Sequence, residues 1–413
     1  MGASTTHYDA IVIGGGPAGL AAAVALARKG LRACLAAAPH RPGGHDRDRR
    51  TAALFSGSIE FLRNLNAWDA LAAVSAPLVG IRLIDDTGGL MRAPEITFRA
   101  CEAGLDAFGY NVPNDALADV LSTVASQTAG LDVRFTEAAS IAELGPKAVL
   151  VTLSDAVRLE APLIVAADGR ASRVREAAKI AATTWSYPQT AVVTWFAHGR
   201  DHGGISSEFH RPSGPFTTVP MPGRTSSLVW VETPHEAQRL MTLADEAFRE
   251  AIERRLQGLL GSVGDLGPRA AFPLSGLKPA TFAQNRVALV GEAAHVIPPI
   301  GAQGLNLGLR DAACLADCAG EAKARGEDPG GAAVLQRYSA WRAPDIRGRI
   351  TAVDILNRSL ITPLLPVQLL RGLGLHLIRI AGPLRQRLVR EGVAPSGACP
   401  SLMQPSTRPA MAT

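Results

Sequence analysis

At 413 residues, 47% hydrophobic and 19% charged, the chain can form two domains or one large interleaved one, and its composition excludes a disordered protein. A net charge of +5 suits an anionic cofactor, nucleic acid or an acidic membrane surface. Aromatics are only 5% and no basic stripe carries interleaved aromatics, which argues against nucleic acid.

Residues 9–13 are a short apolar run ending in glycines, the pattern of a buried parallel strand. Residues 17–29 are rich in Ala and Leu and predict a helix, stopped by Gly30. Residues 31–37 predict a second strand, completing a βαβ opening. A polar loop over 40–50 leads to a predicted helix over 51–71. Strands are expected within 81–98 around the turn at Asp86-Thr-Gly-Gly, then a helix over 114–127 capped by Asn114. Residues 148–153 and 157–167 read as strands.

Between 185 and 233 Thr, Val, Trp and Phe dominate, broken by Gly and Pro. Residues 190–197, 216–219 and 227–232 predict an antiparallel sheet. One long charged amphipathic helix is expected over 235–260, a buried strand over 287–290 and a helix over 304–323. The fold expected is α/β: a Rossmann-like dinucleotide-binding domain (1–80, 100–180, 270–345) interrupted by a mixed or antiparallel β-sheet substrate domain (81–99, 181–269). A helical C-terminal region (346–391) and a disordered tail (392–413) follow.

Three separated motifs carry chemistry. The first is Ile11-Val-Ile-Gly-Gly-Gly-Pro-Ala-Gly-Leu20, after a strand and opening a helix. Gly14 permits the tight turn, Gly16 lets backbone approach a pyrophosphate, and Gly19 allows close helix–strand packing, with Ala18 between them. The helix N-terminus offers free N–H groups to phosphates. The acidic residue that ends the second strand in such motifs, and binds ribose, is replaced by Ala37.

The second motif is Val165-Ala-Ala-Asp-Gly-Arg-Ala-Ser-Arg-Val-Arg175. Asp168 can accept from backbone or a ribose, and it or Ser172 can cap the next helix. Arg175 can pair with Asp168 or meet a pyridine nucleotide. The third is Gly291-Glu292-Ala-Ala-His295 with the stiff loop Pro298-Pro299-Ile-Gly301-Ala-Gln303-Gly304. Glu292 can bind a ribityl hydroxyl, and Gly301 and Gly304 let backbone touch a flat ring. A helix start aimed at that ring stabilises an anionic reduced flavin. His295, Pro298 and Gln303 are the candidate catalytic positions, with loop-fixing hydrogen bonds as the plainer role for His295 and Gln303. Arg50, beside Arg41, Arg47 and Arg49, reaches either the flavin or solvent.

These residues resemble those of the FAD-dependent aromatic hydroxylases of the p-hydroxybenzoate hydroxylase fold. Asp48-x-Arg50-x-x-Ala53-Leu54, Ser58, Leu62 and Leu65-x-x-Trp68, with Gln303-Gly304-Leu305-Asn306, are similar to the ubiquinone-biosynthesis branch. The resemblance spans about residues 8–390 and implies FAD reduced by NADH or NADPH. It implies oxygen passing through a flavin hydroperoxide to the ring of a prenylated phenol or quinone precursor. It carries flavin-binding roles to Gly14, Gly16, Gly19, Arg50, Asp168, Glu292, Gly301, Gly304, Leu305 and Asn306, with Ala18 and Gly291 in the same motifs. Glu292 stands where the wider superfamily has Asp, which shifts the contact's geometry.

A prenylated substrate implies peripheral docking on the inner face of the cytoplasmic membrane, beside other ubiquinone-biosynthesis proteins. Residues 366–380 place Gln368, Arg371, His376 and Arg379 on one helical arc with leucines and isoleucines opposite, which fits a membrane surface or packing on protein. There is no signal peptide pattern and no apolar run of membrane-spanning length, so a cytoplasmic protein is expected. Five irregularly spaced cysteines indicate no disulfide framework, and Cys314 and Cys318 read as small residues on a packed helix rather than a metal pair. A soluble-phenol hydroxylase, a non-catalytic flavoprotein subunit and a homo-oligomer all stay open.

Overall fold

A computed structural model describes residues 5–39, 50–88, 94–136, 138–361 and 398–405. Four apolar strands, Ala10–Ile13, Ala33–Ala37, Leu163–Ala166 and Val287–Leu289, are buried along their whole length, as parallel strands between layers of helix require. Together with Leu131–Phe135 they form a parallel sheet, and the two-residue strand Ala283–Gln284 adds an antiparallel edge. Helix Pro17–Arg28 starts at a proline, whose missing N–H costs nothing there, and Gly30 turns the chain out at φ +84°. Its small residues let helix Gln303–Ala324 lie close: a Cβ on Gly308 would sit 3.2 Å from the Ala18 methyl.

A second, larger sheet gathers Gly80–Asp85, Ile96–Arg99, Ala182–His198, Ile205–His210, Phe216–Met221, Thr225–Glu232, Val263–Leu266 and Ala270–Pro279. On one face Phe196, Phe209, Phe216 and Trp230 pack with Phe248 in a separate core beneath the helices Pro234–Thr242 and Asp245–Leu256. The opposite face fronts a cavity. Helix Ala332–Ile361 bridges the two sheets' regions. Its Arg342 reaches Asp311 of helix Gln303–Ala324, while Asp354 and Asn357 bond Tyr187 and Gln189 on the second sheet.

Several expectations need correction. Residues 51–55 are not helical: Thr51–Phe55 is a strand paired antiparallel with Gly109–Pro113, and helix begins only at Ser56. Tertiary pairing wins there over weak local preference. The single helix over 235–260 is two, because Leu243 and Ala244 are extended. Thr233 caps the first, Asp245 and Glu246 favour the start of the second, and Arg269 ties both by bonding Leu240 O and the Asp245 carboxylate. Asn114 is the first helical residue, and Pro113 holds the cap position. The run 157–167 divides at Pro162 into Arg158–Ala161 and Leu163–Ala166, which belong to different sheets. The large sheet continues past residue 269 into Ala270–Pro279.

The expected disorder of 392–413 does not hold for residues 398–405. Met403 is buried, Ser401 donates through its N–H and hydroxyl to Asp317, and Asn64 donates to the carbonyls of Leu402 and Gln404. The basic amphipathic stretch 366–380 lies outside the described residues, as does the arginine-rich loop 40–49. Among the described residues no helix is long and apolar enough to cross a membrane.

Candidate active site

The three motifs and the second sheet enclose one cavity of about 1240 Å³. That exceeds the roughly 300–1,000 Å³ of a pocket for one small ligand. It leaves room for a large cofactor with a second molecule beside it.

The glycines divide by what they touch. Gly14 has φ +121°, and a Cβ on it would lie 2.2 Å from Ala167 O. A Cβ on Gly19 would lie 2.1 Å from Gly14 O. The protein's own packing therefore demands these two. Gly16 is different: its φ is an ordinary −71° and a Cβ there would meet nothing within 4 Å. The space it keeps open belongs to the cavity, at the N-terminus of helix Pro17–Arg28. The arrangement fits a dinucleotide pyrophosphate. Ala37 ends its strand buried, with no carboxylate at the ribose position.

Asp168 is engaged as a cap: it accepts from the Ser172 hydroxyl and from Val174 N–H. Ser172 in turn accepts from Arg175 N–H at the helix start. The cavity is lined by the neighbours Ala167, Gly169 and Arg170 rather than by Asp168. Arg175 does not pair with Asp168; it is buried behind the cavity wall and donates to the carbonyls of Ala293 and Arg170. Glu292 lines the cavity from an exposed position, 3.4 Å from Arg170. Arg50 also lines it, its guanidinium 4.7 Å from the centre of the Phe272 ring.

His295 is 2% exposed and lines the cavity. Its Nε2 bonds Asp311 at 2.8 Å, while its Nδ1 has no partner. Asp311 also accepts from Gly291 N–H and from Arg342 Nε. Burial would raise the Asp311 carboxyl, yet Arg342 and His295 hold it below the usual carboxylate range. Arg342 continues to Asp345, which accepts from Arg349, and Arg349 donates to the Gln303 side chain. Gln303 donates to Gly301 O. One chain of charged hydrogen bonds thus fixes both ends of the loop that carries Pro298, Gly301 and Gly304. Those three, with Gln303 and Leu305, line the cavity.

Asn306 does not line it. Its oxygen accepts from Phe55 N–H and the Ser58 hydroxyl, and its amide donates to Ala53 O and Ala302 O. It clamps the strand after Arg50 to the start of helix Gln303–Ala324. Gly14, Asp168 and Asn306 therefore shape the wall from behind, while the other candidate positions form it.

The sequence reading missed the sheet side of the cavity. Asn111, Thr194, Ser206, Glu208, Thr217 and Phe272 all line it. Asn111 is buried, donates to Pro220 O, and keeps an unpartnered carbonyl oxygen. The signal that could have found Ser206 and Glu208 was two-residue alternation along Ile205–His210, a strand not anticipated. Cys314 is buried and burial pushes its thiol up, away from the thiolate a metal needs. Among the described residues no cluster of His, Cys, Asp or Glu could hold a metal ion.

The FAD binding domain family matches residues 7–350. The ubiquinone hydroxylase UbiL of Rhodospirillum rubrum is 34% identical across 95% of this chain and 91% of its own length. The chain belongs to the FAD-dependent ubiquinone-biosynthesis hydroxylase family. It is an FAD-dependent aromatic hydroxylase by that membership. The 3-demethoxyubiquinol 3-hydroxylase of Escherichia coli is 28% identical over 92% of this chain and 96% of its own. The crystal structure of p-nitrophenol 4-monooxygenase PnpA from Pseudomonas putida superposes with a TM-score of 0.73 at 18% identity, covering 94% of this chain and 98% of that one, and shares the fold.

Proposed function

We propose that the protein hydroxylates the ring of a polyprenylated ubiquinone precursor, using NADH or NADPH and O2. The observation that carries this reading is one continuous cavity. It runs from the open space at Gly16 to a sheet face lined by Ile81, Val193, Val219 and Val229. Bound FAD, reduced by the nicotinamide donor, supplies the activation of O2 that hydroxylation needs.

The chain's own residues bind, orient and exclude water. Gly16 would leave room for the pyrophosphate at the helix N-terminus, where free N–H groups and the positive dipole end favour an anion. Gly14 and Gly19 keep that turn tight, and Ala18 seats Gly291 against it. Glu292 would accept from a cofactor hydroxyl, and Arg50 would supply positive charge from its place over the Phe272 ring. Gly301, Gly304 and Leu305 present backbone and an apolar edge to a flat ring. Asp168 and Asn306 act indirectly, by capping and clamping. His295, Pro298 and Gln303 would fix the loop at the cavity wall rather than move protons in the chemical step.

A polyprenyl chain partitions into lipid, so the substrate must be met at a membrane surface. Peripheral docking on the cytoplasmic membrane, alone or beside other ubiquinone-biosynthesis proteins, belongs to the same reading.

The test is turnover under ¹⁸O2 with purified holoprotein, NADH or NADPH, and 2-geranylphenol as probe. The reading expects a product one oxygen heavier that carries the label. Nicotinamide oxidation that yields only hydrogen peroxide with every prenylphenol tried would reject it.

A further inference from the structure

We infer that Glu208 is the base that removes the substrate's ring-hydroxyl proton. This rests on the hydroxylase reading above and adds a catalytic residue to it. A C–O bond forms at a ring carbon with an electron pair supplied by the ring, as the O–O bond of the activated dioxygen breaks and its departing oxygen takes that bond's pair. As the ring gives up its pair, the hydroxyl hydrogen becomes acidic. The O–H bond then breaks, the ring oxygen keeps its pair, and the proton must go to a positioned acceptor. The new carbon's hydrogen leaves later, as the ring regains aromaticity.

Acceptors for that proton line the cavity at His295, whose unpartnered Nδ1 belongs to the motif side, and at four carboxylates. The described carboxylates are Asp115 and Asp119 on helix Asn114–Gln127, Glu292 beside Arg170, and Glu208. Of these only Glu208 stands on the sheet face. Strand alternation turns Ser206 and Glu208 to the same side, toward the cavity, and sends Phe209 into the core beneath. Cross-strand neighbours are Leu83 on one side and Thr217 on the other, so no cation flanks it within the sheet.

The carboxylate is held rather than free. Its side chain is 13% exposed, and one oxygen accepts from His210 Nε2 at 2.7 Å. No described residue donates to the second oxygen. His210 is itself buried and cannot carry the carboxylate out to solvent. Arg211, the next cation along the chain, is engaged by Asp86 and Glu232. A carboxylate with one oxygen held and the other without a described donor, on a sheet face it shares with Ile81, Val193, Thr217, Val219 and Val229, is a poor stability device. An equally sized apolar residue would fill the place without the desolvation cost. It is well built to accept one proton.

The experiment compares wild type, Glu208→Gln and Glu208→Asp as FAD-loaded proteins. The probes are 2-geranylphenol and its ring-difluorinated analogue, whose hydroxyl is already more acidic. Hydroxylated product and hydrogen peroxide are counted per NADH consumed. The expected result is a loss of product formation of about 100-fold in Glu208→Gln with 2-geranylphenol, the low end for an absent base. NADH is still oxidised, with peroxide in place of product. The deficit shrinks several-fold with the fluorinated probe, and Glu208→Asp, which keeps a carboxylate, loses less than the Gln variant. Wild-type product yield in Glu208→Gln, or an equal deficit with both probes, overturns the assignment. A wild-type protein that hydroxylates neither probe refutes the hydroxylase reading itself and this inference with it.

Discussion

Asp311→Asn tests how the cavity-lining loop from His295 to Gly304 is held. Three donors converge on this wholly buried carboxylate: Gly291 N–H, His295 Nε2 and Arg342 Nε. An asparagine offers one acceptor oxygen, and its amide hydrogens confront a donor. Arg342, 1% exposed, is left with Asp345 as its carboxylate partner at 2.9 Å. Breaking a buried pair from one side costs about 3–5 kcal/mol, because a charge stays buried without full compensation. Asp345 retains part of the pairing, so the lower end, about 3 kcal/mol, is expected. Urea unfolding followed by circular dichroism measures it. The charge-removing double variant Asp311→Asn, Arg342→Leu should lose less than the two single losses added, by about 1–3 kcal/mol. A single-variant loss below about 1 kcal/mol, or strict additivity, would refute the network argument.

Gly16→Val should fold like wild type, since its Cβ meets no protein atom, yet weaken FAD binding about 100-fold or more, equal to ~2.7 kcal/mol. Equilibrium dialysis and circular dichroism on the same sample check both halves. Gly14→Ala should do the reverse and destabilise the fold itself by more than about 2 kcal/mol, read by chemical denaturation, because φ +121° and a 2.2 Å contact with Ala167 O both oppose a side chain. Burial alone would raise the Asp345 carboxyl, but Arg342, Arg349 and Arg310 hold it at about 2 against an ordinary 3.8. Its folded value is depressed, so it contributes roughly 2 kcal/mol above the ordinary value, lost as pH falls from about 4 toward 2. Asp345→Asn should flatten the pH dependence of stability in that window, measured by denaturant unfolding at stepped pH.

The nucleotide side of the fold was legible because its signals are local. Gly14 and Gly19 sit between a strand and a helix at close backbone approaches, as their motif positions require, while Gly16 keeps open a space that belongs to the cavity. The sheet side was not, because its signal is pairing. Thr51–Phe55 reads as helix until Gly109–Pro113 is beside it, and Ile205–His210 is a strand because Gly80–Asp85 lies parallel to it. Glu208 stayed hidden with its strand. His295 and Asn306 were found as motif letters, but only tertiary contacts reveal what they hold: Asp311 for one, the strand after Arg50 for the other. The docking of Ser401 on Asp317 joins residues 84 apart, beyond any local pattern.

Quinone profiling of a strain lacking this gene tests the central claim most directly. Mass spectrometry should find a prenylated precursor short of one ring hydroxyl, cleared by the wild-type gene and not by the Gly16→Val variant. The mass and fragmentation of that precursor would identify the ring position. An unchanged ubiquinone pool with no such precursor, in a strain shown to carry no second hydroxylase for the step, would contradict the account.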